Sequence, residues 1–285
     1  MSTHDFAEVE IVRDIRYNAN EAVVLTGTLY RPRGRVASPV VVAIHGGAWK
    51  QGSPERYQHW GRYLAQRGVA VYAISYRLAD RAEHRFPAAL LDVLNALQFL
   101  KAAAAKLNLD GEQIALLGDS AGAHLASLAG LAAGSQRTWG DIGWRGDACQ
   151  VRAVTAVYGV YDLVAQWEHD LVARPRDSIT ENLLGVSPLE DRFAYFKASP
   201  ISYVSTQGPK TPFLIAWGTE DDVVDYASQS VKFVSALKQV GAPVRTVAVL
   251  GAPHFWIEQP LEDHGSFAGF LAPKMLRFLQ QHFGM

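Results

Sequence analysis

The sequence Gly118-Asp119-Ser120-Ala121-Gly122 decides the fold of this chain. An apolar run precedes it at residues 114–117, and a stretch with helical spacing of apolar residues follows at 123–129. Together they predict a strand, a sharp turn and a helix, with a serine at the turn. A residue in such a turn has a strained backbone, which is tolerated only where the residues two before and two after it are small. The two glycines meet that requirement, so Ser120 is a candidate nucleophile.

The same five residues are also typical of a glycine-rich turn in which Ser or Asp caps a helix. The flanking patterns leave both interpretations open, so candidate partners elsewhere in the chain must decide between them. If the serine is a nucleophile, the amide of Ala121 lies at a helix N-terminus, where a developing negative charge is favoured. Ala121 is therefore a candidate donor to an oxyanion.

Strand patterns on both sides of this turn predict the sheet. Residues 39–44 are apolar throughout, which is typical of a strand covered on both faces. Further predicted strands at 69–74, 113–117, 151–158, 212–217 and 244–250 alternate with predicted helices at 55–67, 86–106, 121–133, 226–240 and 266–283. Two alternating segments, 7–17 and 23–30, predict an edge hairpin around residues 18–21. The chain is therefore predicted to be an α/β protein whose mostly parallel eight-stranded sheet has helices on both faces.

The length of the chain, 285 residues, allows one large α/β domain or two small ones. Residues 162–200 interrupt the alternation of strands and helices and contain no convincing buried strand. We therefore expect a single domain, residues 1–285, with a small cap inserted at about 162–200. Residues 134–148 are predicted to be a loop and not a domain boundary, because the sheet pattern continues on either side.

Composition excludes several classes of function. The formal net charge is -1, from 27 basic and 28 acidic residues, which predicts neither nucleic-acid binding nor attraction to an anionic membrane. Cys149 is the single cysteine, so neither an internal disulfide nor a cysteine-based zinc site is expected. The first ten residues do not resemble a signal peptide, and no apolar run approaches 18 residues. We expect a cytoplasmic protein without a membrane span, and the sequence leaves a homodimer open.

Three short segments follow predicted strands, where ligands of such sheets bind. They are His45-Gly46-Gly47-Ala48-Trp49, Trp217-Gly218-Thr219-Glu220-Asp221-Asp222 and Gly251-Ala252-Pro253-His254. Taken singly, they are also typical of a strand-ending turn, a solvated acidic loop and a structural histidine. Taken together, they place a nucleophile, an acid and a base in the order Ser120, Asp221, His254, which is the order found in α/β-hydrolases. Asp222 is the alternative acid.

The chain resembles the α/β-hydrolase superfamily, and within it the hormone-sensitive-lipase-like and arylformamidase-like esterases. The resemblance extends from Gly27 onward. Its most specific parts are the HGG turn at residues 45–47, Tyr76-Arg77-Leu78-Ala79, Phe86-Pro87-Ala88-Ala89 with Asp92, and residues 118–122. In relatives with an HGGG turn the second and third glycines donate to the oxyanion, which implies that Gly47 and Ala48 do so here together with Ala121. Ala48-Trp49 is closer to the arylformamidase-like and feruloyl-esterase-like branches, whereas Asp119 is similar to the lipase-like branch.

The resemblance implies a serine carboxylesterase that acts through an acyl-enzyme on Ser120, with His254 as base and Asp221 as its orienting acid. The loops around the predicted site contain no arginine cluster that would bind a charged acid, so small to medium neutral esters are the expected substrates. No metal or organic cofactor is expected, because the chain has neither HExxH nor a glycine-rich phosphate fingerprint. An arylformamidase that hydrolyses the N-formyl amide of an aromatic amine is an alternative on the same triad. A receptor that binds a small molecule without turnover is a further alternative.

Aromatic residues in the segments around the predicted site suggest an apolar pocket. These residues are Trp49, Trp139, Trp144, Trp167, Phe255 and Trp256. Among them Trp49, Trp167, Phe255 and Trp256 are the predicted substrate-binding residues. Core packing is the competing interpretation for about half of the set, since large aromatic side chains are often buried.

Overall fold

An eight-stranded sheet runs through the computed structural model, which describes residues 6–18, 23–80, 82–132, 150–208, 210–263 and 265–285. The strands are β1 (Val9–Arg16), β2 (Thr26–Pro32), β3 (Ser38–Ile44), β4 (Ala70–Ile74), β5 (Leu109–Asp119), β6 (Val154–Val157), β7 (Phe213–Gly218) and β8 (Val244–Val249). Their order is β1-β2-β4-β3-β5-β6-β7-β8. β2 pairs antiparallel with β1 and β4, and the other neighbouring strands pair in parallel. The predicted α/β-hydrolase fold with a mostly parallel eight-stranded sheet is confirmed.

Helices cover both faces of the sheet. They are α1 (Gln58–Ala65), α2 (Ala88–Ala103), α3 (Ala121–Ala132), α4 (Leu163–Ala173), α5 (Ile179–Leu184), α6 (Arg192–Ala198), α7 (Lys232–Gln239) and α8 (Phe267–Phe283). The predicted helix 226–240 is divided in the structure, because a π-helical turn, Ala227–Val231, precedes α7. Residues Trp139, Trp144 and Cys149, with the predicted loop 134–148 and most of the predicted hairpin turn, lie outside the described residues.

The position of β3 in the sheet explains why residues 39–44 are apolar throughout. All seven of its residues are buried. Val40, Val42 and Ile44 pack into the core beneath α2 and α3, whereas Val41 and Ala43 pack into the core beneath α1 and α8. Because successive side chains of a strand point to opposite faces, a strand between two cores needs apolar residues at every position.

Helix α2 and the turn after it have the length and the apolar composition of a membrane span. Together with the turn that follows it, Ala88–Leu107 is the one helix in the described parts of the chain that is long and apolar enough to cross a membrane. However, 56% of its apolar window is buried inside the fold. Burial of this kind is typical of the core helix of a globular domain, so length and composition are weak evidence for a span.

Three helices, α4 to α6, occupy the segment between β6 and β7 that was predicted to be a cap. Each begins at a polar capping residue: Asp162, Ser178 and Asp191 accept hydrogen bonds from backbone amides of α4, α5 and α6 respectively. The side chain of Gln229, in the π-helical turn, accepts hydrogen bonds from the amides of Tyr161 and Asp162 at 2.7 and 2.9 Å, where the chain leaves the sheet. The single-domain organisation with a cap at 162–200 remains a prediction.

Candidate active site

Ser120 stands at the turn between β5 and α3, with a positive φ of 52°. A Cβ atom at Gly118 would collide with the carbonyl of Gly122, and one at Gly122 would collide with the carbonyl of Ile44 at the end of β3. Both positions therefore require glycine, as the motif predicts. The collision with the neighbouring strand β3 is a tertiary contact that the motif alone does not contain.

His254 and Asp221 meet Ser120 at the carboxyl ends of the strands. The Nε2 atom of His254 lies 3.0 Å from Ser120 Oγ, and Nδ1 lies 2.7 Å from Asp221 Oδ2. An ionised carboxylate only accepts hydrogen bonds, so Nδ1 carries the proton and Nε2 accepts from the serine hydroxyl. Ser120 and His254 are 7% and 5% exposed, and the Asp221 side chain is 1% exposed. In this arrangement a serine hydroxyl can act as a nucleophile, with the imidazole as its base and the carboxylate orienting the imidazole.

The loop after β7 presents Asp221, and not Asp222, to the imidazole. The second oxygen of Asp221, Oδ1, accepts hydrogen bonds from the amides of Val223 and Val224 at 3.0 and 2.9 Å. Asp222 is exposed, and its carbonyl accepts a hydrogen bond from His169 Nε2 at 3.1 Å. The geometry therefore assigns the position beside His254 to Asp221.

The turn after β3 holds three successive residues at positive φ: Gly47 at 121°, Ala48 at 52° and Trp49 at 59°. Such backbone conformations cost of order 1–3 kcal/mol for a residue with a Cβ and are found mainly at functional loops. The amides of Lys50 and Gln51 both donate to the Gly47 carbonyl at 3.1 Å, which closes the turn. Within the described ranges, the amides of Gly47, Ala48 and Ala121 have no hydrogen-bond acceptor, so they are available to a ligand.

Asp119, the residue that is similar to the lipase-like branch, has a buried carboxylate beneath these elements. Its Oδ1 accepts hydrogen bonds from the Gly46 amide at 2.9 Å and the Tyr57 hydroxyl at 2.8 Å, and Oδ2 lies 3.5 Å from the Tyr158 hydroxyl. Tyr158 OH in turn accepts from the amide of Ile257 at 3.2 Å. Asp119 therefore joins the serine turn to the glycine turn and to the histidine loop. Burial raises its pKa, while the hydrogen bond from Tyr57 acts in the opposite direction.

The glycine turn is also supported from the end of β4. The imidazole of His45 stacks on the ring of Tyr76 with centroids 4.3 Å apart, and Tyr76 OH donates to the His45 carbonyl at 2.8 Å. Burial lowers the pKa of His45 to about 4, so the ring is neutral near pH 7. The next residue, Arg77, binds the buried carboxylate of Asp92 at 2.7 Å. These contacts give a structural reason for the Tyr76-Arg77 motif.

Trp49 does not line a pocket, and this corrects the prediction. The side chain is fully buried, and its Nε1 donates to His124 Nδ1 at 3.1 Å. The Nε2 atom of His124 lies 2.7 Å from the carbonyl of Ala198 and donates to it, so the imidazole is neutral. Burial lowers the pKa of His124 to about 4. The indole has no surface to offer a substrate and instead links the glycine turn to α3 and to the end of α6.

The prediction that Trp256 contacts the substrate is also wrong. It is 1% exposed and packs edge-on against Tyr158, with centroids 5.2 Å apart, in the core beneath α8. Phe255 is 56% exposed, and its ring centroid lies 4.4 Å from that of His254. Trp167 is half-buried and donates from Nε1 to Glu181 Oε1 at 2.6 Å. Substrate binding by Phe255 and Trp167 stays a prediction.

Sequence comparisons show which known proteins this chain is similar to. The BD-FAE family model matches residues 28–237. Esterase LipQ of Mycobacterium tuberculosis is 33% identical over 221 residues, which cover 76% of this chain and 50% of LipQ. The probable isoprenylcysteine alpha-carbonyl methylesterase ICME of Oryza sativa is 29% identical over 251 residues, which cover 82% of this chain and 56% of the relative. The chain thus spans about half the length of the curated relatives it matches.

Solved structures share the fold over nearly the whole chain. A truncated form of a carbohydrate esterase from gut microbiota superposes with a TM-score of 0.80 at 25% identity, over 100% of this chain and 99% of the other. Esterase B from Lactobacillus rhamnosis, inhibited by a tributyrin phosphonate, has a TM-score of 0.81 at 23% identity, over 97% of this chain and 86% of the other. The second likeness concerns the fold alone.

Proposed function

The chain belongs to the BD-FAE family of α/β-hydrolases, and from this membership we propose that it is a serine carboxylesterase that hydrolyses small to medium neutral esters. The observation that carries the proposal is the continuous hydrogen-bonded series from Ser120 through His254 to Asp221, with distances of 3.0 and 2.7 Å. The esterase names of the curated relatives support an ester as the substrate.

The proposed reaction is a two-step acyl transfer. His254 Nε2 accepts the hydroxyl proton as Ser120 Oγ attacks the ester carbonyl, and Asp221 stabilises the imidazolium that forms. The amides of Gly47, Ala48 and Ala121 are the proposed donors to the tetrahedral oxyanion. His254 then returns the proton to the leaving alcohol, and water, activated by the same imidazole, hydrolyses the acyl-enzyme to release the acid.

Preference for a neutral substrate is supported by the cations near the glycine turn. Lys50 binds Asp177 at 2.9 Å, and Arg77 binds Asp92 at 2.7 Å. Both cations therefore already have a carboxylate partner in the protein. A substrate carboxylate would have to displace that partner, so a neutral acyl group is favoured.

A series of p-nitrophenyl esters from acetate to octanoate, assayed beside N-formylkynurenine, tests the proposal. Ser120→Ala should lower kcat for the esters by about 10^4-fold or more. Ser127→Ala, on the helix α3 that follows Ser120, is a matched control, because the Ser127 hydroxyl is buried with no hydrogen-bond partner among the described residues. It should leave kcat unchanged. A loss below tenfold in a folded Ser120→Ala variant would contradict the proposal.

The same assay separates the alternatives. Preferred turnover of N-formylkynurenine would assign the site to an arylformamidase, and ligand binding without turnover would assign it to a receptor. Labelling of the wild-type protein with a p-nitrophenyl phosphonate, followed by peptide mass spectrometry, should place the adduct on Ser120. Two predictions from the sequence remain part of the proposal: a cytoplasmic location, and a homodimer that the sequence leaves open. Cell fractionation would test the first and size-exclusion chromatography the second.

A further inference from the structure

Helix α4 contacts the loop that carries Asp221 through hydrogen bonds to two backbone carbonyls. The carbonyl of Asp222 accepts from His169 Nε2 at 3.1 Å. The carbonyl of Val223 accepts from Gln166 Nε2 at 3.0 Å and from the guanidinium of Arg174 at 3.3 Å. The donors thus come from α4 and its C-terminal capping residue, within the segment predicted to be a cap.

The other ends of the same two peptide groups bind the candidate acid. The peptide between residues 222 and 223 donates its N–H to Asp221 Oδ1 at 3.0 Å, and the peptide between residues 223 and 224 donates to the same oxygen at 2.9 Å. Each peptide group therefore accepts from α4 and donates to Asp221. Hydrogen bonds in such a chain polarise one another and are stronger when the last acceptor is ionised.

The donors on α4 are themselves held in place. Gln166 and Arg174 both donate to Asp170 Oδ1, at 2.9 and 2.5 Å, and the amide of Ile179 donates to Asp170 Oδ2 at 3.3 Å. Gln166 has no exposed surface and Asp170 is 1% exposed. Residues 166, 170 and 174 lie on one face of the helix because they are four apart. The orientation of the donors toward the acid loop is thus built into α4.

We infer that Gln166 and His169 are positioning residues for Asp221, and that α4 takes part in the proposed catalysis by orienting the acid and not only by covering the sheet. This inference rests on the proposed function. The two side chains donate to main-chain carbonyls, so they act through the peptide groups and the carboxylate. Their removal should lower kcat and leave KM nearly unchanged.

Three variants test this inference in the full chain. His169→Leu removes one donor, and His169→Gln keeps an N–H that can reach the same carbonyl. Gln166→Met keeps a side chain of similar length but removes one of the two donors to the Val223 carbonyl, and Arg174 remains as the second. We expect kcat to fall about 2- to 10-fold in the two variants that lose a donor, the factor that one net hydrogen bond corresponds to. His169→Gln should recover most of the loss. Val172→Ala is the control and should match wild type, because Val172 lies on the same helix and is 87% exposed.

A double-mutant cycle distinguishes positioning from a general structural effect. The rate of single-turnover phosphonylation of Ser120, followed by p-nitrophenolate release, remains measurable when the catalytic rate is low. In an Asp221→Asn background, Gln166→Met and His169→Leu should no longer change this rate, because the group they orient is altered. Losses of the same size in both backgrounds would overturn the inference. If Gln166→Met fails to fold by circular dichroism, the two variants at 169 decide the result.

The outcome also separates this inference from the proposed function. If Ser120→Ala abolishes ester hydrolysis but folded His169→Leu and Gln166→Met keep wild-type kcat, the inference about α4 is wrong and the esterase proposal stands. If Ser120→Ala keeps its activity, the proposed function is wrong, and the inference is wrong with it. A fall in kcat that depends on Asp221 and is recovered by His169→Gln supports both.

Discussion

Lowering the pH below about 6.5 should reduce the free energy of unfolding of this protein, because two histidines are buried in the neutral form. His124 accepts a hydrogen bond from Trp49 at Nδ1 and donates to Ala198 from Nε2. Protonation would place an N–H at Nδ1 opposite the indole N–H, at a site buried from solvent. Burial lowers the pKa of His124 to about 4, and that of His45 to about 4 as well.

The size of the effect follows from proton linkage. Since both histidines have a lower pKa in the folded state than in the unfolded state, their contribution to stability is full above about pH 6.5 and is lost as the pH falls toward 4. Each should reduce the free energy of unfolding by about 1.4 kcal/mol per pH unit in this window. Between the ordinary histidine pKa of 6.5 and a pKa of about 4, the loss adds up to about 3 kcal/mol for each histidine.

This loss is large beside the 5–15 kcal/mol that stabilises a typical domain. Asp119 acts in the opposite direction, because burial raises its pKa and protonation therefore favours the folded state at low pH. The free energy of unfolding of the wild type should still rise with pH between pH 5 and 6.5, because two histidines lose protons in this range and only one carboxyl acts against them.

Urea unfolding at half-unit steps from pH 7 to 5 measures the slope. In His124→Gln the group that titrates is removed, so the slope should fall by about 1.4 kcal/mol per pH unit. Its absolute stability should also fall, because the Trp49 N–H loses its acceptor. Trp49→Phe is the control: it loses the hydrogen bond but keeps the buried imidazole, so the slope should remain. A slope in His124→Gln equal to that of wild type would refute the reasoning.

Three further substitutions have defined outcomes. Gly122→Ala places a Cβ against the end of β3, so phosphonate labelling of the serine should be lost and the free energy of unfolding should fall by about 1–3 kcal/mol; full labelling would contradict this. Asp119→Ala leaves the Gly46 amide without its acceptor, so kcat should fall about 10- to 100-fold with little change in KM, and Asp119→Asn, which keeps an acceptor, should lose less. Arg77→Met removes the cation that binds the buried Asp92, so urea unfolding should show a loss of about 3 kcal/mol; an unchanged midpoint would contradict it.

Much of the fold could be predicted because it depends on local patterns. The alternation of apolar strands with helical segments predicts all eight strands in their observed order along the chain. The apolar run of β3 predicts a strand between two cores, and the structure confirms it. The glycine at 118 follows from the turn itself, because a Cβ atom there would collide with the carbonyl of Gly122. These features are encoded within a few residues of where they occur.

The candidate site could be predicted only in part. Strand ends place Ser120, His254 and an acid at one edge of the sheet, and the structure brings them within hydrogen-bond distance. The choice between Asp221 and Asp222 depends on the path of a loop, which local patterns do not specify. The signal for Asp119 was present, because an acid inside a tight glycine turn has little access to water, but its partners come from three distant segments.

By itself, then, the sequence determined the order of strands and helices, the serine turn and the residues that follow the strand ends, because periodicity and backbone geometry act over short distances along the chain. Only the tertiary structure decided that Trp49 and Trp256 belong to the core and that α4 binds the acid loop. The burial of a side chain and the partner of a polar atom depend on segments far apart in the chain, so they exist only once the sheet, its helices and the 162–200 segment have packed together.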